Sequence, residues 1–118
     1  MLKKSLITFI ATGILGIAPA VSSAAYPDQP IKLIVPFSPG GSTDILGRLL
    51  ANAMRPVLGQ VIVVENKPGA GGNIGGHFVA TAKPDGYTVL LAAAGPTVIN
   101  PSLYKNMNYN PSKDLAPV

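Results

Sequence analysis

The chain has no cysteine, which excludes disulfide scaffolds, thiolate metal sites, redox pairs and thiol nucleophiles. It has one histidine, His77, with no second imidazole to share a metal, so an exposed or packing role is expected rather than a ligand role. Charge is scarce as well: 12% of residues carry one, and no basic run exceeds Lys3-Lys4. A nucleic-acid groove needs clustered cations to meet phosphates and is therefore not expected. Neither a metal site nor a cofactor is predicted. What is plentiful is Gly and Pro, 13 and 12 of 118 residues, enough for many turns but below collagen-like or low-complexity values.

The first 25 residues read as an export signal. Lys3 and Lys4 form a positive start, Leu6 to Ala18 is a nearly unbroken apolar stretch of 13 residues, and Pro19 ends it. Ser22/Ala24 or Ser23/Ala25 then supply the small residues of a cleavage site. Thirteen apolar residues fall short of the ~20 needed to span a bilayer, so cleavage is expected rather than an anchor. Losing Lys3 and Lys4 lowers the net charge from +4 to +2, which removes most of the electrostatic argument for an acidic partner. With no cysteine to carry a lipid, a periplasmic protein without membrane insertion is predicted.

The mature chain alternates strand and helix. Ile31–Val35 reads as a buried strand and Val61–Val64 as a second, with Thr88–Ala92 the third. From Asp44, the apolar residues Ile45, Leu46, Leu49, Leu50, Ala53 and Val57 recur at helical spacing, which predicts a helix burying that face, capped by Ser42 or Thr43. Pro56 is expected to bend or unwind its last turn, and Gly59 to close it. A second helix is expected to begin within Gly69–Gly76, to bury Ile74, Phe78 and Ala82, and to end at Lys83-Pro84. Ala93–Tyr104 reads as a loop with at most a short helical turn, and Asn110–Val118 as the approach to another strand. Aliphatic strands joined by helices imply an α/β fold with an open parallel sheet of βαβαβ type, ordered 2-1-3.

In such a sheet, ligands bind beyond the carboxyl ends of the strands, where helix N-termini offer free N–H groups. Phe37 to Asp44 meets that rule: Gly40 and Gly41 let backbone approach a ligand, and Ser42 and Thr43 supply hydroxyl and amide donors suited to a carboxylate. Ala93 to Thr97 follows the third strand and would stand beside it. Capping and turn formation alone would explain the same residues. The glycine-rich turn suggests a nucleotide loop, but Gly-x-Gly-x-x-Gly fails at Ile74. No Gly-Lys-Ser/Thr occurs, and Gly40–Asp44 lacks the closing glycine of a nucleophile elbow. Catalysis is not expected. A Rossmann-like nucleotide-binding half-domain, or an exported fragment without ligand that pairs its sheet edge, are the alternatives.

Four blocks carry a resemblance. Tyr26–Asp44, with Val35-Pro36-Phe37-Ser38-Pro39-Gly40-Gly41-Ser42-Thr43-Asp44 at its centre, Val63–Gly75, Lys83–Thr88 and Asn100–Tyr104 together resemble the extracytoplasmic solute receptors of tripartite tricarboxylate transporters, the Bug family. The resemblance implies a periplasmic receptor of two α/β lobes that closes on a small carboxylate and delivers it to membrane permease subunits. It implies that Phe37, Gly41, Ser42, Thr43 and Asp44 line one side of the site and Ala94, Pro96 and Thr97 the other, partly through water. Asp44, being anionic, would then orient water or hydroxyls. Family members continue beyond a Lys-Asp-Leu-Ala-Pro-Val-like segment into a second lobe, whereas this chain ends at Val118. Residues 26–118 are thus expected to be an incomplete first lobe in which closure around a ligand is lost. Pro56 is a second departure.

Overall fold

The computed structural model describes residues 25–118, so the export signal assigned to residues 1–25 lies, but for Ala25, outside the described residues. The element order is β1 (Ile31–Val35), α1 (Ser42–Leu58), β2 (Ile62–Asn66), a 3-10 turn (Ala70–Gly72), α2 (Asn73–Ala80), β3 (Thr88–Leu90), a π-helical turn (Gly95–Ile99), α3 (Asn100–Leu103) and α4 (Pro111–Asp114). The strands form one parallel sheet in the order β2-β1-β3, the α/β arrangement that the strand–helix alternation implies. Leu33 in the central strand stands opposite Val64 on one side and Val89 on the other.

β1 is buried on both faces because it has a helix over each. Leu33 and Val35 point toward Gly47 of α1, while Ile34 is fully buried and Pro36 meets Gly75 of α2. Successive side chains of a strand alternate faces, so an unbroken aliphatic run is what a doubly covered strand requires. No helix among the described residues is long and apolar enough to cross a membrane.

Both helices bury a face other than the one their apolar spacing suggests. In α1 the buried residues are Asp44, Gly47 and Ala51. Ile45, Leu46, Leu49 and Val57 are 54%, 58%, 62% and 85% exposed, and Ala53 is exposed too. The small residues let the helix axis come close to β1, and a helix that seats on Gly47 and Ala51 must turn its leucines outward. In α2 the buried residues are Gly75 and Gly76. A Cβ at Gly75 would fall 2.8 Å from that of Pro36, and one at Gly76 would overlap the Tyr109 hydroxyl. Ile74 is 54% and Phe78 36% exposed, with the Lys67 ammonium 4.1 Å from the centre of the Phe78 ring, a favourable cation–π distance. α2 ends at Ala80, before Ala82 and the Lys83-Pro84 breaker, with the Thr81 hydroxyl donating to the His77 carbonyl at 2.9 Å.

Other boundaries also differ. α1 starts from Gly41 rather than from a Ser42 or Thr43 cap, and it runs through Pro56 to Leu58 before Gly59 closes it in the left-handed conformation. Pro56 deprives the Asn52 carbonyl of its helical donor, but Asn52 is exposed, so water can replace it. β2 extends through Glu65 and Asn66, two residues past the expected end at Val64. The segment after β3 is helical from Gly95 to Leu103, because Pro96 and Pro101 sit at the starts of successive turns, where a missing N–H costs least. The final segment opens with a short helix, α4: Asn110 Oδ1 accepts from Ser112 N at 3.0 Å and Asp114 Oδ2 accepts from Asn110 N at 2.7 Å, a reciprocal cap, after which Leu115 is extended.

Candidate functional site

The loop from Phe37 to Gly41 leaves the carboxyl end of β1 and opens α1. Gly40 has φ of +82° with open space around its Cα, a conformation that side chains disfavour. The Gly41 carbonyl accepts from Ile45 N at 3.0 Å, and the N–H groups of Ser42 and Thr43 have no acceptor among the described residues. They are the free first-turn donors of a 17-residue helix, where partial positive charge gathers. Gly41 and Ser42 are exposed; Phe37 and Thr43 are half-buried.

Asp44 turns inward. It is 4% exposed, and its two oxygens accept three hydrogen bonds and make one further ion-pair contact. Oδ2 accepts from Gly40 N at 2.9 Å and Arg48 Nε at 3.1 Å. Oδ1 accepts from Asn66 Nδ2 at 2.9 Å and lies 3.0 Å from Arg48 Nη2. Arg48, followed by the Gly40 amide and Asn66, holds the carboxyl down at about 2 against an ordinary 3.8, so it is ionised throughout the physiological range. The carboxylate thus bonds chiefly within its own loop and helix.

The second predicted wall follows β3, the neighbour of β1; Leu91 N donates to Ile34 O at 2.9 Å, which brings the two strand ends to one edge. Ala94 is exposed. Pro96 is fully buried, stacked against Gly72, and its carbonyl accepts from the Tyr109 hydroxyl at 3.0 Å. The Thr97 hydroxyl donates to the Ala93 carbonyl at 2.6 Å, so its proton serves the helical turn, and only its oxygen lone pairs remain free to accept.

The glycine-rich turn after β2 packs against this wall. Asn100 Nδ2 donates to Gly71 O at 3.1 Å and to Asn73 Oδ1 at 2.6 Å, and Gly71 lies against Asn100 and Tyr104. The turn therefore serves as a joint between α2 and the segment after β3. A concavity of about 380 Å³ opens between Pro101, Tyr104, Lys105 and Tyr109, and a smaller one of about 190 Å³ between Arg48, Ala51, Asn52 and Ile62; neither is lined by any of the eight predicted residues. Among the described residues no group of three or more acidic or imidazole side chains is arranged to hold a metal. Sequence reasoning missed Asn66, Arg48, Asn100 and Tyr109. Arg48 was readable as the i+4 partner of Asp44, whereas the other three act across 22 residues or more in one case and 13 or more in the rest.

Comparison with known proteins places the geometry in a lineage. Residues 46–118 match the sequence profile of the tripartite tricarboxylate transporter family receptor. Protein BugT of Bordetella pertussis is 48% identical over 111 residues, covering 93% of this chain and 33% of BugT. The structure of periplasmic binding protein BugD superposes with a TM-score of 0.72 at 54% identity, covering 75% of this chain and 29% of that one. MatC of Rhodopseudomonas palustris, solved with bound malate, gives 0.72 at 38% identity, covering 75% and 30%. The chain spans about a third of the length of the curated relatives it matches. With the fold, the strand order and the sequence in agreement, this chain belongs to the receptor family of the tripartite tricarboxylate transporters.

Proposed function

We propose that residues 26–118 form the N-terminal part of the first lobe of a two-lobe periplasmic receptor, and that their loops bind a small di- or tricarboxylate for membrane permease subunits. The observation that carries this reading is the exposed start of α1, where Ser42 and Thr43 present N–H groups without partners among the described residues beside the open Gly40-Gly41 backbone. Two such donors at a helix N-terminus suit one carboxylate. A malate-bound relative of the same fold supports the ligand class.

Gly41, Ser42 and Thr43 make the direct contacts, with Phe37 flanking them and Ala94 and Thr97 facing them from the neighbouring loop. Asp44 and Pro96 support those loops from beneath. The role is binding and release, with no bond made or broken. Because Gly41 and Ser42 are open to water, affinity is on the order of millimolar. Saturation-transfer NMR with malate, citrate and a neutral polyol tests the reading: transfer to the acids and not to the polyol is expected, and transfer to none contradicts it. Intact mass of the protein recovered from a periplasmic fraction tests export, with an N-terminus at Ala25 or Tyr26 expected.

A further inference from the structure

We infer that Asn66, and Arg48 with it, are positioning residues for the loop that faces the carboxylate; the inference rests on the carboxylate reading above. The loop has little backbone anchorage of its own. At its ends, Lys67 N donates to Val35 O and Ile45 N to Gly41 O. Between them, the described bonds hold the backbone at two points, Phe37 O and Gly40 N, and both partners are side chains. Asn66 Nδ2 donates to Phe37 O at 3.1 Å and to Asp44 Oδ1 at 2.9 Å, and its Oδ1 accepts from Arg48 Nη2 at 3.1 Å.

One amide at the end of β2 thus ties the exit of β1 to the entry of α1. Only a group with two N–H donors and an acceptor can do all three jobs, so aspartate at 66 would lose both donations and set a second anion beside Asp44. Arg48 has a separate task. Its fork neutralises a buried carboxylate one residue from the Thr43 amide, and without it an unpaired negative charge would stand next to the place offered to an anion. Lysine keeps the charge but cannot fork to Asp44 and Asn66 together.

The test compares the full chain, expressed with its own N-terminus and isotope-labelled, with Asn66→Ala, Asn66→Asp and Arg48→Lys. Amide exchange at Gly40 and at the core residues Ile34 and Val35 is read by NMR, together with affinity for malate. Asn66→Ala should raise Gly40 exchange and weaken malate binding, each about tenfold, the loss of roughly one hydrogen bond, while Ile34 and Val35 keep their protection. Asn66→Asp should do at least as much, and Arg48→Lys less. Gly40 exchange unchanged in a folded Asn66 variant overturns the inference. So does weakened binding without a change at Gly40, which would make Asn66 a ligand contact. Should the Asn66 variants fail to fold, Arg48→Lys decides: a Gly40 amide as protected as in the parent overturns it. If the parent binds no malate but Gly40 opens in Asn66→Ala, the positioning stands and the carboxylate reading fails.

Discussion

The Tyr109 hydroxyl donates to the Pro96 carbonyl at 3.0 Å, and this bond fastens the C-terminal segment to the helical turn that follows β3. The same ring fills the space left by the missing side chain of Gly76, so one aromatic residue closes two joints. Tyr109→Phe keeps the ring and orphans a buried carbonyl, which should cost about 1–2 kcal/mol. For a domain of this size that lowers the melting temperature by roughly 4–16 °C, readable by circular dichroism. Burial also pushes this hydroxyl above its ordinary 10.0. The neutral form is therefore favoured in the folded state; its contribution is complete below pH 10.0 and is lost as pH rises beyond it.

Gly76→Ala should be worse than its size suggests. The added methyl would occupy the position of the Tyr109 hydroxyl, so either the ring or α2 must move. Overpacking of this kind costs about 1–3 kcal/mol, and it exceeds the gain that alanine usually brings to a helix interior. Denaturant unfolding should show a lower midpoint; a raised midpoint would mean that α2 does not sit on Tyr109.

Acid should unlock the first loop late. The Asp44 carboxyl lies at about 2 in the fold against 3.8 ordinarily, so it binds protons more weakly when folded. Its contribution is complete above pH 3.8 and is lost as pH falls from there through 2. Urea unfolding of the parent and of Asp44→Asn at pH 7, 5, 3 and 2 should give a stability gap that is constant between pH 7 and 5 and narrows only below 3.8. A gap that narrows between pH 7 and 5 would mean that Asp44 is not held by Arg48, Gly40 and Asn66.

The outward face of α1 carries Leu46 and Leu49, 58% and 62% exposed. Leu46→Lys and Leu49→Lys should change stability by no more than about 0.5 kcal/mol. Both should lower the fluorescence of a dye that reports apolar surface. A loss of several kcal/mol in either would show that this face is covered in the folded protein.

The fold was legible where the argument needed only period and punctuation. Ile31–Val35, followed by two further aliphatic runs with helical segments between, already implied a central strand in a parallel sheet of order 2-1-3. The buried faces of the helices were not legible, because hydrophobicity points to Leu46 and Leu49, whereas closeness of approach favours Gly47, Gly75 and Gly76. Prolines misled in the same way: Pro96 and Pro101 read as loop residues, yet they start helical turns. At the site, the glycine and hydroxyl residues of the first loop stood out by type. The residues that hold the loop did not, since Asn66 lies beyond the strand expected to end at Val64, and only the observed β2 carries it to the loop.

The central claim is that the start of α1 receives a carboxylate. The most direct measurement is a residue-resolved ¹H–¹⁵N NMR titration of the full chain with malate at constant ionic strength. Saturable shifts centred on the Gly41, Ser42 and Thr43 amides are predicted. Saturable shifts confined to the concavity around Tyr104 and Lys105, with Gly41 to Thr43 unmoved, would contradict it.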